Sequence, residues 1–431
     1  MLRVALIALI ALLCASCIYV GGGSKASSAQ ELSDSIARGQ LDRNKWCLKN
    51  SCSVAEENFV RSVELAAHGK FNLSYKAALM CAESSMREEN FGLMSLCATR
   101  LRLASISERG VQGFAPKDMV LWSSIIDVAL KDGRFPKDEA IYEQGLARKI
   151  HALNIPDRTV ILGVHSGSRE YSVYGDLDGG GAQYPIVDMN VNGHILKMGI
   201  DTGTPISVIY GGGASKIGAK IFSDISIAAG DNLTGVVNLH PALVDAVNIA
   251  GMSIRNNIFL VPEKAPVGIE IDGIVGLDVL GLLGKITIIG NKIFVGETQQ
   301  QCHMPVVYSF GVYGWNPKLI IQDAKFNSQN VLAVIDTGSA FGITLSSDLV
   351  KRFGLAVTDV SEVSMQTFAA DKMVRIGRVH GTISMGGETY LGDYEVRGMG
   401  GDIYVGMKVF YRDGLYLNFK DMTTCKSPHW Q

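Results

Sequence analysis

The sequence predicts a chain of α-helical and then all-β character, with the β part built as two repeated lobes. Three observations carry this. Apolar residues recur at helix-type spacing through residues 30–155. The composition changes near Thr159, from where strand-like runs alternate with Gly and Asn turns. Within that later part, two four-residue stretches at 201–204 and 336–339 sit in matching surroundings.

The repeat is the strongest of these signals. Asp201-Thr202-Gly203-Thr204 follows the apolar run Met198–Ile200, and Asp336-Thr337-Gly338-Ser339 follows Leu332–Ile335. Strand-like sequence comes after each, at Ile206–Tyr210 and Phe341–Leu345. Each also follows a candidate hairpin. In the first, Asn192-Gly193 joins 184–191 to 194–200; this pair is a strong two-residue turn signal. In the second, 327–330 joins 318–326 to 331–335. Further on come Ile274-Val275-Gly276 and Tyr404-Val405-Gly406, at similar distances from their Asp-Thr-Gly, and then the β-rich runs 286–295 and 414–419. One Asp-Thr-Gly is ordinary turn chemistry. Two in matching context are an internal repeat of a lobe.

This pattern resembles the aspartic proteases. Strand, Asp-Thr-Gly-Ser/Thr, flap and apolar-apolar-Gly is the order of one retropepsin monomer or one pepsin lobe, and here two copies together cover roughly residues 159–425. The lobes are short, Pro205 follows the first motif, and no Tyr lies between Gly211 and Ile274, where a pepsin flap carries one. Each lobe is therefore closer to a bacterial retropepsin-like domain, duplicated in one chain. The resemblance implies lobes at 159–300 and 301–425, with flaps at Ile225–Val247 (tip Gly230-Asp231-Asn232) and Val363–Val379 (tip Ala370-Asp371-Lys372).

It also implies roles. Asp201 and Asp336 would share one proton, since two like charges so close cannot both ionise, and the pair would supply base and acid together. Thr202 and Thr337 would lie against each other beneath the carboxyls. Gly203 and Gly338 would let the backbone approach and donate to them, and Thr204 and Ser339 would add hydroxyls. Such chemistry needs a polypeptide substrate and no cofactor or metal. With both Asp residues in one chain, a monomer suffices.

The rest of the chain sets the context. The 431 residues hold 47% apolar and 19% charged side chains, and the net charge of −2 gives no reason to expect nucleic acid. Residues 1–17 read as a signal peptide, with Arg3 before the apolar run Val4–Leu13, which is short for a membrane span. Ala15-Ser16-Cys17 resembles a bacterial lipobox, so Cys17 is the candidate lipidation site and residues 18–29 a flexible tether. The expectation is a membrane-anchored lipoprotein of the cell envelope or periplasm, the alternative simple cleavage and secretion.

Six Cys remain beyond that segment: Cys47, Cys52, Cys81, Cys97, Cys302 and Cys425. An even number in an exported chain suggests disulfides. Sequence leaves the connectivity open; the tidy pairing is Cys47–Cys52, Cys81–Cys97 and Cys302–Cys425. Beyond residue 17 there is no Cys-x-x-Cys, and no His-Glu-x-x-His occurs, so no zinc site is expected.

In residues 30–155, helices are expected at 54–68, 74–87, 91–105, 117–131 and 137–152. Phe59, Val63 and Ala66 fall on one face, and Val120, Ile125 and Val128 more loosely on another. Gly69, Gly110 and Gly133 are stop signals, and Pro116 and Pro136 start signals. Stacked hairpins loosely like tetratricopeptide arrays fit this layout, as a protein-binding module, a structural cap or a propeptide. The Gly/Asp-rich stretch Gly175–Gly181 reads as a turn. Two functions from different classes follow: an aspartic endopeptidase, or a non-catalytic peptide- or protein-binding lipoprotein that keeps the protease-like cleft.

Overall fold

A computed structural model of the chain describes residues 26–131, 137–162, 168–173, 185–231, 235–249, 251–264, 271–289, 292–296, 304–310, 317–366, 371–398, 402–410 and 414–425. Residues 1–17, expected to be a signal peptide and ending in Cys17, lie outside the described residues, as do Cys302, Gly133, Pro136, Gly175–Gly181, and Asn232 and Ala370 of the expected flap tips. The chain forms two compact units. One comprises Met1–Ile155 with Tyr308–Pro317, the other Pro156–Val307 with Lys318–Gln431.

The first unit is helical. Its helices run Ala26–Ala37, Arg43–Asn50, Val54–Ala67, Phe71–Arg87, Phe91–Arg109, Met119–Lys131 and Lys137–Ala152. The helix from Ala26 begins inside the stretch 18–29 read as a tether, and its Leu32 and Ile36 are buried in the core. Ser53 starts the third helix with a capping box: its hydroxyl accepts from the Glu56 N–H while Glu56 accepts from the Ser53 N–H. Gly69 and Gly110 stop helices with positive φ, 68° and 62°, where a Cβ would be strained. Phe59, Val63 and Ala66 are all buried, as their spacing predicts. Val120 is 84% exposed, so the face of the sixth helix is set by Trp122, Ile125 and Ile126 instead. Disulfides join Cys47 to Cys52 and Cys81 to Cys97. Cys425, in the other unit, is also disulfide-bonded, to a partner outside the described residues. Tyr308 and Phe310 of the inter-lobe connection pack their rings on Phe71 of this helical unit. No helix among the described residues is long and apolar enough to cross a membrane.

The second unit is a two-lobed β fold. In the first lobe, Pro185–Val191 and His194–Ile200 form a hairpin. Asn192 and Gly193 at its turn both have positive φ, 49° and 82°, the geometry that an Asn-Gly pair favours. In the second, the expected strand 318–326 is broken at Asp323 (φ 60°) into Lys318–Ile321 and Lys325–Phe326. The turn there is Asn327-Ser328, again with two positive φ values, since Phe326 already pairs with Gln329. Both lobes continue into long hairpins, Ile227–Asp231 with Gly235–Ile249 and Thr358–Gln366 with Asp371–Met385. These overlap the expected flap spans, 225–247 and 363–379.

The lobes meet in a shared sheet. Lys285–Ile289 pairs antiparallel with Leu415–Asn418, so the end of one lobe is hydrogen-bonded to the end of the other. Lys292–Val295 with Ser168–Val173 extends the sheet on one side, and Thr423–Thr424 with Met304–Ser309 on the other. A sheet made from both lobes holds them in register for a site built from both.

Candidate active site

The same crossing occurs in each lobe. Gly273–Val275 runs parallel to His194–Ile200 and antiparallel to Val208–Ile209, so it threads between the two arms of the first Asp-Thr-Gly loop. Ile403–Gly406 does the same between Ala333–Asp336 and Ile343–Ser346. Two backbone bonds then tie each loop down: Leu277 N–H to Thr204 O (2.9 Å) with Asp278 N–H to Pro205 O (3.1 Å), and Met407 N–H to Ser339 O (2.8 Å) with Lys408 N–H to Phe341 O (3.2 Å). The crossing requires Gly276 and Gly406. A Cβ on Gly276 would stand 2.6 Å from Thr204 O, and one on Gly406 would stand 2.6 Å from Ser339 O. Ile274, Val275, Tyr404 and Val405 are buried beside them.

These loops meet through a reciprocal grip. Thr202 Oγ1 donates to Ile335 O (2.7 Å) and accepts from Thr337 N–H (3.1 Å). Thr337 Oγ1 donates to Ile200 O (2.8 Å) and accepts from Thr202 N–H (3.0 Å). Both Thr side chains are fully buried, so each hydroxyl satisfies a donor and an acceptor of the opposite lobe that water cannot reach.

Asp201 and Asp336 lie directly above this grip, partly buried, close enough to share a hydrogen bond. Asp201 Oδ1 accepts from Gly203 N–H (2.7 Å) and Oδ2 from Thr204 Oγ1 (2.6 Å). Asp336 accepts from the N–H groups of Gly338 and Ser339. The glycines face across the site. A Cβ on Gly203 would be 2.7 Å from Asp336 Oδ1, and one on Gly338 would be 2.5 Å from Asp201 Oδ1.

Burial raises both carboxyls above their usual range. For Asp336 the negative charge of Asp201 and the bond to it raise it further. For Asp201 the donors Thr204, Gly203 and Asp336 itself work in the opposite direction. Two carboxyls this close cannot readily ionise together, so they titrate as a unit that holds one proton between them.

Several residues of the site carry no signal in Asp-Thr-Gly. Asp272 Oδ2 accepts from Lys197 N–H and its carbonyl from Tyr210 N–H, both at 2.8 Å. Asp402 does the same in the second lobe, with Leu332 N–H and Ser346 N–H, also at 2.8 Å. Each faces a cation from the short helix that follows the loop, Lys216 at 3.5 Å and Arg352 at 2.9 Å. The repeat Asp272-Gly-Ile-Val-Gly and Asp402-Ile-Tyr-Val-Gly was the available signal. Tyr210 is buried near Asp201, and both burial and that charge raise its hydroxyl pKa, keeping it protonated. Ser207 and Asp278 form a buried pair in the first lobe, where the matching positions of the second hold Gly342 and Lys408.

No protein-family model matches the chain, and no curated protein matches it. Among solved structures it is similar to a retropepsin-like aspartic protease from Rickettsia conorii, at 16% identity and TM-score 0.23, over 32% of this chain and 90% of that one. It is similar also to basic 7S globulin from soybean (9% identity, TM-score 0.34) and to conglutin gamma from lupine seeds (9%, 0.35), each over 60% of this chain and 94% of the other. At this level of likeness the reading of the site rests on the residues described above.

Proposed function

We propose that the chain is an aspartic endopeptidase that cleaves polypeptides by activating water on the Asp201–Asp336 pair. The observation that carries the reading is that the parts of a two-carboxyl site occur together: both acids side by side, both glycines, the Thr204 hydroxyl and the Ser339 N–H as donors, and the complete Thr202–Thr337 grip. A pair with one proton supplies both halves of the chemistry. The ionised member of the pair takes a proton from water as that water attacks the scissile carbonyl, and the protonated member donates to the carbonyl oxygen, where negative charge develops. The grip fixes the two carboxyls relative to each other, which is the positioning this reaction needs. An extended substrate would bond its backbone beneath the two long hairpins.

Envelope location through Cys17, and a helical unit of tetratricopeptide-like hairpins that binds a protein partner, belong to the same proposal; they rest on the sequence alone. One acyl chain anchors only marginally, so more than one on Cys17 is expected. The reading is tested by turnover of a mixed peptide library by the purified protein. Cleavage with new termini at defined positions supports it. A folded protein that binds library peptides without cleaving any supports the non-catalytic binding alternative instead.

A further inference from the structure

We propose that Arg158, in the segment leading out of the helical unit, is a positioning residue for Asp201, acting through Asp278 and Ser207. The inference rests on the peptidase reading for its activity arm only.

The argument begins with a difference between the lobes. The N–H of the glycine that threads each loop needs an acceptor. In the second lobe, Gly406 N–H donates to the backbone carbonyl of Gly342 (3.0 Å). In the first, Gly276 N–H donates to a side chain, Ser207 Oγ (3.0 Å). Ser207 is fully buried and is held by Asp278, whose Oδ1 accepts from both Ser207 N–H (2.8 Å) and Ser207 Oγ (2.7 Å). The loop that carries Asp201 therefore depends on side chains where the loop that carries Asp336 uses backbone.

That dependence buries a carboxylate. Asp278 is 6% exposed, and burial alone would drive it towards the neutral form. The opposing charge is Arg158, whose side chain is itself 4% exposed. Its Nη1 lies 4.0 Å from Asp278 Oδ2 and donates to the Asp278 carbonyl at 3.1 Å. Arg158 stands three residues after Ile155, the last helical-unit residue before the β unit, and immediately before the strand Thr159–Leu162. A connected path thus runs from Arg158 to Asp278, to Ser207, to Gly276, and through Leu277 N–H to Thr204 O beside Asp201. Removing one partner of a buried pair leaves the other charge uncompensated, and neutralising both relieves it.

The test is a charge cycle in the full-length protein: Arg158→Met, Asp278→Asn and the double variant. Arg158→Met should lower kcat by about tenfold to 100-fold with KM nearly unchanged, the scale of a small misplacement at the reacting atoms. The double variant should regain most of that loss, because the amide oxygen introduced by Asp278→Asn still accepts from Ser207 without carrying a charge. Hydrogen exchange at the amides of Leu277 and Gly203 should follow the same order, and it is readable even if no substrate is ever cleaved. Wild-type kcat and amide protection in Arg158→Met overturn the proposal, as does a double variant no better than the single. Should Arg158→Met not fold, recovery of folding and activity in the double variant supports the proposal. If neither folds, Asp278→Asn alone decides, since it leaves Arg158 buried without its counter-charge: wild-type kcat and amide protection overturn the proposal, and a lowered kcat with KM nearly unchanged supports it.

Discussion

Replacing Thr202 by Val tests the grip with almost no change of volume. The hydroxyl it removes makes two bonds across the lobes, to Ile335 O at 2.7 Å and from Thr337 N–H at 3.1 Å. Both backbone groups belong to a fully buried surrounding, so neither is rehydrated when the hydroxyl goes. Two orphaned buried groups put the cost at about 2–4 kcal/mol, well above the ~1 kcal/mol of an ordinary hydrogen bond. Thr337→Val should cost a similar amount, because its bonds to Ile200 O and Thr202 N–H mirror the first pair. The double variant should cost less than the sum, since contacting residues in one network are not additive. Urea unfolding gives the magnitudes, and hydrogen exchange at the Thr337 amide gives the local effect directly. A loss below about 0.5 kcal/mol in Thr202→Val, with Thr337 still protected, would refute the reasoning that the two loops are locked through these hydroxyls.

Three further outcomes follow. Gly338→Ala should fold yet lose at least about 100-fold in kcat, because its Cβ would stand 2.5 Å from Asp201 Oδ1; steady-state kinetics with a circular-dichroism control checks this. Replacing Cys81 and Cys97 together by Ala should lower the stability of the helical unit by about 3 kcal/mol, read by thermal unfolding, as the disulfide closes a loop of sequence separation 16. Asp336 is pushed up to about 8 in the folded protein by burial and by Asp201, against about 3.9 unfolded, so the folded state binds the extra proton between these values. Stability contributed by that proton is full below about pH 4 and is lost as pH rises towards 8; Asp336→Asn should flatten this slope in urea titrations across that range.

Much of the site was legible in the sequence because it is made by short, contiguous motifs used twice. Asp201 and Asp336, the glycines that a Cβ would exclude and the apolar-apolar-Gly strands all occur where the repeat puts them. Asn192-Gly193 is likewise a local signal, and it forms its turn. The break at Asp323 was not legible, since the run 318–326 reads as one strand and only the paired geometry shows its left-handed residue. Asp272 and Asp402 carry a visible but weak signal, close before a recognised motif. Arg158, Ser207 and Asp278 had none, for they come from three distant places and the second lobe does not repeat them. The early helices Ala26–Ala37 and Arg43–Asn50 were hidden by tether-like composition and by length, eight residues in the second case.

Cleavage of one peptide by the wild-type chain and by Asp201→Asn and Asp336→Asn, each verified as folded, is the most direct measurement of the central claim. Base and acid are separate carboxyls sharing one proton, so neither variant can perform both halves of the reaction. Each single variant should lose essentially all turnover, and the double variant should be no worse than either one. Near-wild-type cleavage by either single variant would contradict the account and place the chemistry elsewhere in the chain.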